Sequence, residues 1–280
     1  MHLSPIYGVM GNPIAHSKSP LIHAHFAQQM GLSINYAKIL VPLDDFAHTL
    51  RSFINKNGLG ANVTTPFKEQ AASLCDDLSE FASLAGAVNT LSIKENKIYG
   101  DNTDGPGLIC DLKYRHKINL KDKKILIIGA GGAARGIIGA LLSEHPQSVT
   151  IVNRTLSKAH DLCAVFNDLA QHKQASLACL SFEQLNNPDQ KYTYELIINA
   201  SSSSLHGDLP KLPLNLFHAD MSVYDLMYSS DLTSFLQFCR EHNVHKLYDG
   251  LGMLVEQAAL SFEIWLGVKP DTAEIYKLLR

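Results

Sequence analysis

The run Lys124-Ile125-Leu126-Ile127-Ile128-Gly129-Ala130-Gly131-Gly132-Ala133-Ala134-Arg135 decides the fold of this 280-residue chain. Four apolar residues in a row, 125–128, predict a short strand covered on both faces, and the glycines after it predict a turn. A helix follows to about Ser143, then a strand at 149–152 and a helix at 157–169. Strand, helix and strand within about thirty residues form a βαβ unit, whose parallel strands need a right-handed crossover. Further strands are expected near Leu177 and at 195–199, 221–224 and 245–248, with a helix at 233–241. The sum is a doubly wound parallel sheet.

Working outward toward the N-terminus, the pattern alternates without that regularity. Residues 6–10 read as a strand ending at Gly11, and Ser19-Pro20 as an N-cap followed by a first-turn proline. Ile22, Phe26 and Met30 then share one helix face, which Gly31 closes. Asp44 or Asp45 is expected to cap a second helix carrying Phe46, Leu50 and Phe53 and ended by Gly58. The strand 60–63 stops at Thr64-Thr65-Pro66, because proline cannot donate to a ladder. Two more strands, 87–93 and 97–100, flank a turn at Glu95-Asn96. The polar run Gly100-Asp101-Asn102-Thr103-Asp104-Gly105 then marks a domain boundary before a helix at 106–116. Toward the C-terminus, Gly250 and Gly252 open a helix containing Gln257, and a last helix follows Pro270. The fold class is therefore α/β with two domains: residues 1–103 with 251–280, and 104–250.

Composition excludes several classes of function. With 24 Lys+Arg against 27 Asp+Glu the formal charge is −3. No bulk field draws such a chain to nucleic acid or an anionic membrane, so an anionic ligand must be held by a local site. The five cysteines are widely spaced with no Cys-x-x-Cys pair, and no His-x-x-x-His pair stands among the 13 histidines, so no metal site is expected. Neither a signal peptide nor an apolar run of membrane-spanning length is visible, and a soluble cytoplasmic protein is expected.

The glycine loop carries the first chemistry. Gly129 permits a tight turn, Gly131 lets backbone approach a pyrophosphate, and the following helix start offers free N–H groups and a partial positive charge. Ala134 takes the place of the third glycine of a dinucleotide fingerprint. After the second strand an NAD site places a carboxylate on the ribose 2′-hydroxyl, whereas this chain reads Asn153-Arg154-Thr155 with Lys158 one turn on. A planar guanidinium and an ammonium suit a 2′-phosphate, which favours NADP.

In the first domain Lys68 follows the strand 60–63 and Asp104 ends the polar boundary run. A lysine and a carboxylate within hydrogen-bond reach form a proton-transfer pair, and spacing alone leaves open whether the two meet. The competing reading makes Lys68 a solvated helix start and Asp104 a cap. Ser17 and Ser19 offer hydroxyls to a carboxylate. Asn62, Thr64 and Asn89 sit at strand ends, where orienting hydrogen bonds and turn chemistry are equally common. These residues alone support an NADP-dependent oxidoreductase acting on a small oxygenated acid.

The strings Gly11-Asn12-Pro13-Ile14-Ala15-His16-Ser17-Lys18-Ser19-Pro20, Asn62-Val63-Thr64-Thr65-Pro66-Phe67-Lys68, Gly86-Ala87-Val88-Asn89-Thr90, Gly100-Asp101-Asn102-Thr103-Asp104-Gly105 and Asp249-Gly250-Leu251-Gly252-Met253-Leu254 resemble the shikimate dehydrogenase family, in order and across the whole chain. The resemblance implies an N-terminal substrate domain, a Rossmann-type NADP domain and reversible NADPH-dependent reduction of 3-dehydroshikimate to shikimate, on the route to chorismate and aromatic amino acids. It implies Lys68 as acid/base with Asp104 as its partner, and Ser17, Ser19, Thr64, Lys68, Asn89, Asp104, Tyr228 and Gln257 as substrate-binding residues. On the cofactor side it implies Gly129, Ala130, Gly131, Gly132, Ala133, Asn153, Arg154, Thr155 and Lys158, with Ala200, Leu226 and Gly250 near the nicotinamide. The chain departs from the family pattern at Thr65 (commonly Val), Lys158 (commonly Arg), Ser204 (commonly Gly) and Leu226 (commonly Met). Alternatives are a quinate/shikimate dehydrogenase with relaxed substrate or cofactor use and a non-catalytic metabolite sensor. The partners expected are small molecules, without nucleic acid or membrane, in a monomer or homodimer.

Overall fold

A computed structural model describes residues 5–201 and 209–280. These residues fall into two compact units, one running to Gly107 and taken up again at Leu254–Arg280, the other Leu108–Met253. Both changeovers lie inside helices, a few residues beyond the expected boundaries at 103 and 251.

The first unit contains β1 (Ile6–Gly11), α1 (Ser19–Gln29), β2 (Asn35–Leu40), α2 (Phe46–Asn55), β3 (Gly58–Val63), α3 (Lys68–Ser73), β4 (Asp77–Leu78), α4 (Glu80–Ala85), β5 (Thr90–Lys94) and β6 (Lys97–Asp101), and it enters α5 (Asp104–Cys110). Its sheet has the order β2-β1-β3-β5-β6-β4. β1 pairs in parallel with β2 and β3, whereas β5 runs antiparallel to both β3 and β6. The β5–β6 hairpin turns at Glu95 and Asn96, which hold φ of 52° and 63°, a pair of positive values that match the right-handed twist of the strands. Met10, Phe46, Leu50, Val63, Phe67 and Leu91 form one buried cluster. Ile22 and Phe26 of α1 form another with Val255 and Phe262 from the C-terminal part of the chain.

The second unit opens with a π-helical turn, Asp111–Arg115, that continues α5. Then come β7 (Lys124–Ile128), α6 (Gly132–Ser143), β8 (Ser148–Val152), α7 (Leu156–His172), β9 (Ser176–Leu180), α8 (Phe182–Leu185), β10 (Leu196–Asn199), β11 (Ser222–Asp225), α9 (Ser234–Glu241) and β12 (Lys246–Asp249). The sheet is wholly parallel with the order β12-β11-β10-β7-β8-β9. This is the doubly wound order, with its switch point between β7 and β10. The chain ends with α10 (Leu251–Leu266), which crosses from one unit to the other, and α11 (Ala273–Leu279).

Several local expectations need correction. Ser19 is not a cap: Lys18 holds that position and makes no side-chain cap bond, and Ser19 and Pro20 are helical. The turn after α2 is made by Asn57, at φ 68°, not by Gly58, which opens β3 where Phe53 leaves no room for a Cβ. β5 begins at Thr90, three residues later than expected, and the short elements α3, β4 and α4 lack a periodic sequence signal.

Candidate active site

In the first unit the loops after β1 and β3 emerge side by side. The Thr64 N–H donates to Met10 O and the Asn12 N–H to Thr65 O. A Cβ at Gly11 would lie 2.4 Å from the Thr64 methyl, so only glycine admits this approach. The β1 loop carries Ser17, whose Oγ accepts the Ser19 N–H at 3.3 Å, leaving the Ser17 O–H to donate elsewhere. The β3 loop delivers Lys68 to the first position of α3. A cation is unfavourable at a helix N-terminus unless an anion answers it. Asp104 does so: Lys68 Nζ donates to Asp104 Oδ2 at 2.5 Å, the two side chains retaining 23% and 10% of their exposure.

Asp104 is not the helix cap of the competing reading. It is the first residue of α5, and the Asn102 carboxamide oxygen accepts its N–H at 3.1 Å. Its second oxygen, Oδ1, accepts from Asn89 Nδ2 at 2.8 Å. Asn89, only 2% exposed, in turn takes the Thr103 N–H at 2.9 Å and the Thr90 hydroxyl at 2.8 Å on its own oxygen. Its Nδ2 also reaches Gln257 Oε1 at 3.4 Å. Gln257 gets that close because Gly107 of α5 has no Cβ; one would lie 2.8 Å from Gln257 backbone. Lys68, Asp104, Asn89 and Gln257 thus converge, an ion pair held by a carboxamide.

Residues the sequence reading passed over support this pair from behind. Asn62 Oδ1 accepts from the Tyr36 hydroxyl at 2.8 Å and lies 3.1 Å from His23 Nε2. An amide oxygen only accepts, so His23 carries its proton on Nε2. Asn62 Nδ2 then donates to Ser261 Oγ at 2.9 Å and toward Asn89 O and Thr90 Oγ1, both at 3.3 Å. The His23 ring stacks on Tyr36 with centroids 4.4 Å apart. Burial drives the His23 pKa down to about 3, against the favourable bond to Asn62, so it is neutral near pH 7. Of this hub the sequence points only to Asn62, a polar group at a strand end; Tyr36, His23 and Ser261 carry no such signal.

In the second unit the cofactor candidates share a geometry. Ile128, Val152, Asn199, Asp225 and Asp249 stand in register at the carboxyl ends of neighbouring strands. Gly129, Asn153, Ala200, Leu226 and Gly250 are the residues immediately after them. Ligands of doubly wound sheets bind at these carboxyl ends. Gly129 has φ 105°, and a Cβ there would lie 3.2 Å from Ala200 backbone. At Gly250 a Cβ would lie 2.0 Å from Leu226 O. Gly131 and Gly132, by contrast, face open space at the start of α6, with Ala130 and Ala133 beside them. That opening and the free N–H groups of the first turn fit a pyrophosphate. Asn153 Nδ2 donates to Thr155 O at 2.8 Å, which folds the loop so that exposed Arg154, Thr155 and Lys158 head α7. The residues present therefore fit an NADP-type dinucleotide.

Asp225, fully buried, ties the β11 loop. It accepts from Thr233 Oγ1 at 2.6 Å, from the Met227 N–H at 3.2 Å and from Asn199 Nδ2 at 3.1 Å. Burial pushes its pKa up to about 6, against those three bonds, with the Asp249 charge adding to the rise. Tyr228, half-buried in the same loop, is a phenol whose pKa is raised by burial and by Asp249. Ser204 lies outside the described residues. Among the described residues no group of three His, Cys, Asp or Glu side chains is placed to hold a metal, and no helix is long and apolar enough to cross a membrane.

Residues 9–91 match the model for the shikimate dehydrogenase substrate binding domain, residues 112–204 that for shikimate / quinate 5-dehydrogenase, and residues 250–280 that for the shikimate 5′-dehydrogenase C-terminal domain. The shikimate dehydrogenase (NADP(+)) of Marinobacter nauticus is 46% identical over 276 residues, covering 98% of each chain. Among solved structures, an Ael1 enzyme from Pseudomonas putida has a TM-score of 0.89 at 39% identity, covering 99% of this chain and 98% of its own. The shikimate 5-dehydrogenase of Thermus thermophilus in complex with NADP(H) and shikimate has a TM-score of 0.84 at 32% identity, covering 98% of each.

Proposed function

The chain belongs to the shikimate dehydrogenase family, and from that premise we propose how its own residues carry the reaction. It is an NADP-dependent oxidoreductase that interconverts 3-dehydroshikimate and shikimate in the shikimate pathway. NADPH, when bound, supplies the hydride that reaches the substrate carbonyl carbon.

Lys68 gives a proton from Nζ to the oxygen of that carbonyl as negative charge develops there, and in shikimate oxidation it takes the proton back. Asp104 holds the ammonium in place through Oδ2 and receives a substrate hydroxyl. Asn89 fixes Asp104 through Oδ1, so the carboxylate cannot rotate away from Lys68. The observation that carries this reading is the line Asn89, Asp104, Lys68, with distances of 2.8 and 2.5 Å and a buried carboxamide at its base. Within the first unit Gln257 and Thr64 complete the substrate side, and Ser17 and Ser19 receive the substrate carboxylate; Tyr228 is assigned to substrate binding by the family resemblance. A bare binding protein has no use for a lysine pinned in this way.

Residues 108–253 form the NADP domain. Gly129 to Ala133 cradle the pyrophosphate, Arg154 and Lys158 with Asn153 and Thr155 hold the adenosine 2′-phosphate, and Ala200, Leu226 and Gly250 line the nicotinamide end. The five free cysteines fit a reducing compartment, and a cytoplasmic location belongs to the proposal. Turnover of shikimate and quinate, each with NADP⁺ and NAD⁺, tests it. Shikimate with NADP⁺ is expected to give the highest kcat/KM; equal turnover of quinate, which bears one more ring hydroxyl, would move the assignment to the broader quinate/shikimate class.

A further inference from the structure

Away from these residues, the second unit gathers two thiols and an imidazole where α7 lies on β9. His160 and Cys163 are one turn apart on α7, and Cys179 stands in β9. Cys179 Sγ lies 3.1 Å from His160 Nδ1, and Cys163, one turn from His160 on α7, lies near enough to Cys179 for that thiol to raise its pKa. Both cysteines are free and half-buried, and His160 is exposed, so a small oxidant can reach the cluster.

We propose that Cys163 and Cys179 are an oxidisable dithiol, a reversible modification site that hydrogen peroxide converts to an intramolecular disulfide and that weakens the hold of the adjoining loop on the NADP 2′-phosphate. The second half rests on the placement of that phosphate at Arg154 and Lys158 given above.

The two thiols have distinct roles. Burial and the neighbouring Cys179 push the Cys163 pKa up to about 12, so Cys163 does not meet the peroxide first and serves as the slower, resolving thiol. Cys179 has a base at hand. His160 Nδ1 takes the Cys179 proton, the thiolate attacks one peroxide oxygen, and the O–O bond breaks to leave Cys179 sulfenic acid and hydroxide, which recovers the proton as water. Cys163 sulfur then attacks the sulfenic sulfur; the S–S bond forms, the S–O bond breaks, and the departing hydroxide takes the Cys163 proton. Two thiols and one peroxide give one disulfide and two waters.

The link to the cofactor loop is short. Leu180, next to Cys179, accepts the Asn153 N–H at 3.2 Å, and Lys158 precedes Cys163 by little more than one helical turn. A disulfide holds its sulfurs at about 2.05 Å, so closing it ties α7 to β9 beside residues 153–158 and shifts that loop.

The test treats the purified enzyme with hydrogen peroxide and follows intact mass, peptide maps and kinetics. The expected result is a loss of about 2 Da, a Cys163–Cys179 cross-linked peptide reversed by dithiothreitol, and a KM for NADP⁺ raised about fivefold at unchanged kcat. Cys163→Ser and Cys179→Ser, as active as the wild type when reduced, are expected to lose both responses, and His160→Asn to slow the cross-link. Failure to find that cross-link overturns the dithiol. A cross-link with unchanged KM overturns the link to the loop if Arg154→Ala, run in parallel, raises the KM; if Arg154→Ala also leaves it unchanged, the phosphate placement itself is wrong.

Discussion

Replacing Asn89 by aspartate probes the proton-transfer pair without changing its shape. The new side chain keeps an oxygen for the Thr103 N–H and the Thr90 hydroxyl, now at 2.9 and 2.8 Å. What changes is the atom facing Asp104 Oδ1 at 2.8 Å, where a donating N–H becomes a carboxylate oxygen. Two unit charges about 3 Å apart repel by about 6 kcal/mol at an effective dielectric constant of ~20. That equals about 4 pKa units as an upper bound, at ~1.4 kcal/mol per unit, so the two carboxyls share one proton through neutral pH. A shared proton weakens the Asp104 hold on Lys68. The assay is the initial rate of NADP⁺ reduction with shikimate from pH 6 to 10. Asn89→Asp is expected to move the acid limb of kcat upward by at least 1 unit, whereas Asn89→Ala, which adds no charge, lowers thermal stability with the limb in place. A pH profile for Asn89→Asp that superimposes on that of the wild type would refute the coupling of Asn89 to Asp104.

Arg154→Ala removes a guanidinium from the proposed 2′-phosphate site. The KM for NADP⁺ is expected to rise about tenfold or more while that for NAD⁺ stays put, and parallel changes for both cofactors in steady-state kinetics would count against the site. His23 gives a stability prediction. Its folded pKa, about 3, lies below the unfolded value of ~6.5, so only the unfolded chain binds the proton between them and stability falls as pH drops through that window. The histidine contribution at pH 4.5 is about 3 kcal/mol. Urea titrations at pH 7 and 4.5 are expected to show His23→Gln losing less stability on acidification than the wild type by about that amount; equal losses would contradict a buried neutral His23.

The second unit was readable because its signals are local. The central strands β7 and β10 are apolar runs, Gly129 holds a positive φ, and Gly250 has no space for a Cβ, so residue type follows from backbone position. The first unit was readable in its long helices and its hairpin but not in α3, β4 and α4, which are too short to show a period. Lys68 and Asp104 could be named as candidates, yet their meeting depends on α3 and α5 being carried to one place by strands far apart in sequence. Tyr36, His23 and Ser261 were missed for the same reason: Asn62 and Ser261 are 199 positions apart, and no spacing rule reaches that far. Ser19 misled because a serine before a proline is a common cap, whereas here the helix starts one residue earlier.

The most direct test of the central claim is the kinetics of Lys68→Ala with shikimate and NADP⁺. With Lys68 Nζ 2.5 Å from Asp104 and supplying the proton, the account predicts a kcat lower by about a thousandfold or more and a KM for shikimate changed little. A kcat within a few fold of the wild type would contradict the assignment and remove Lys68 from the chemistry.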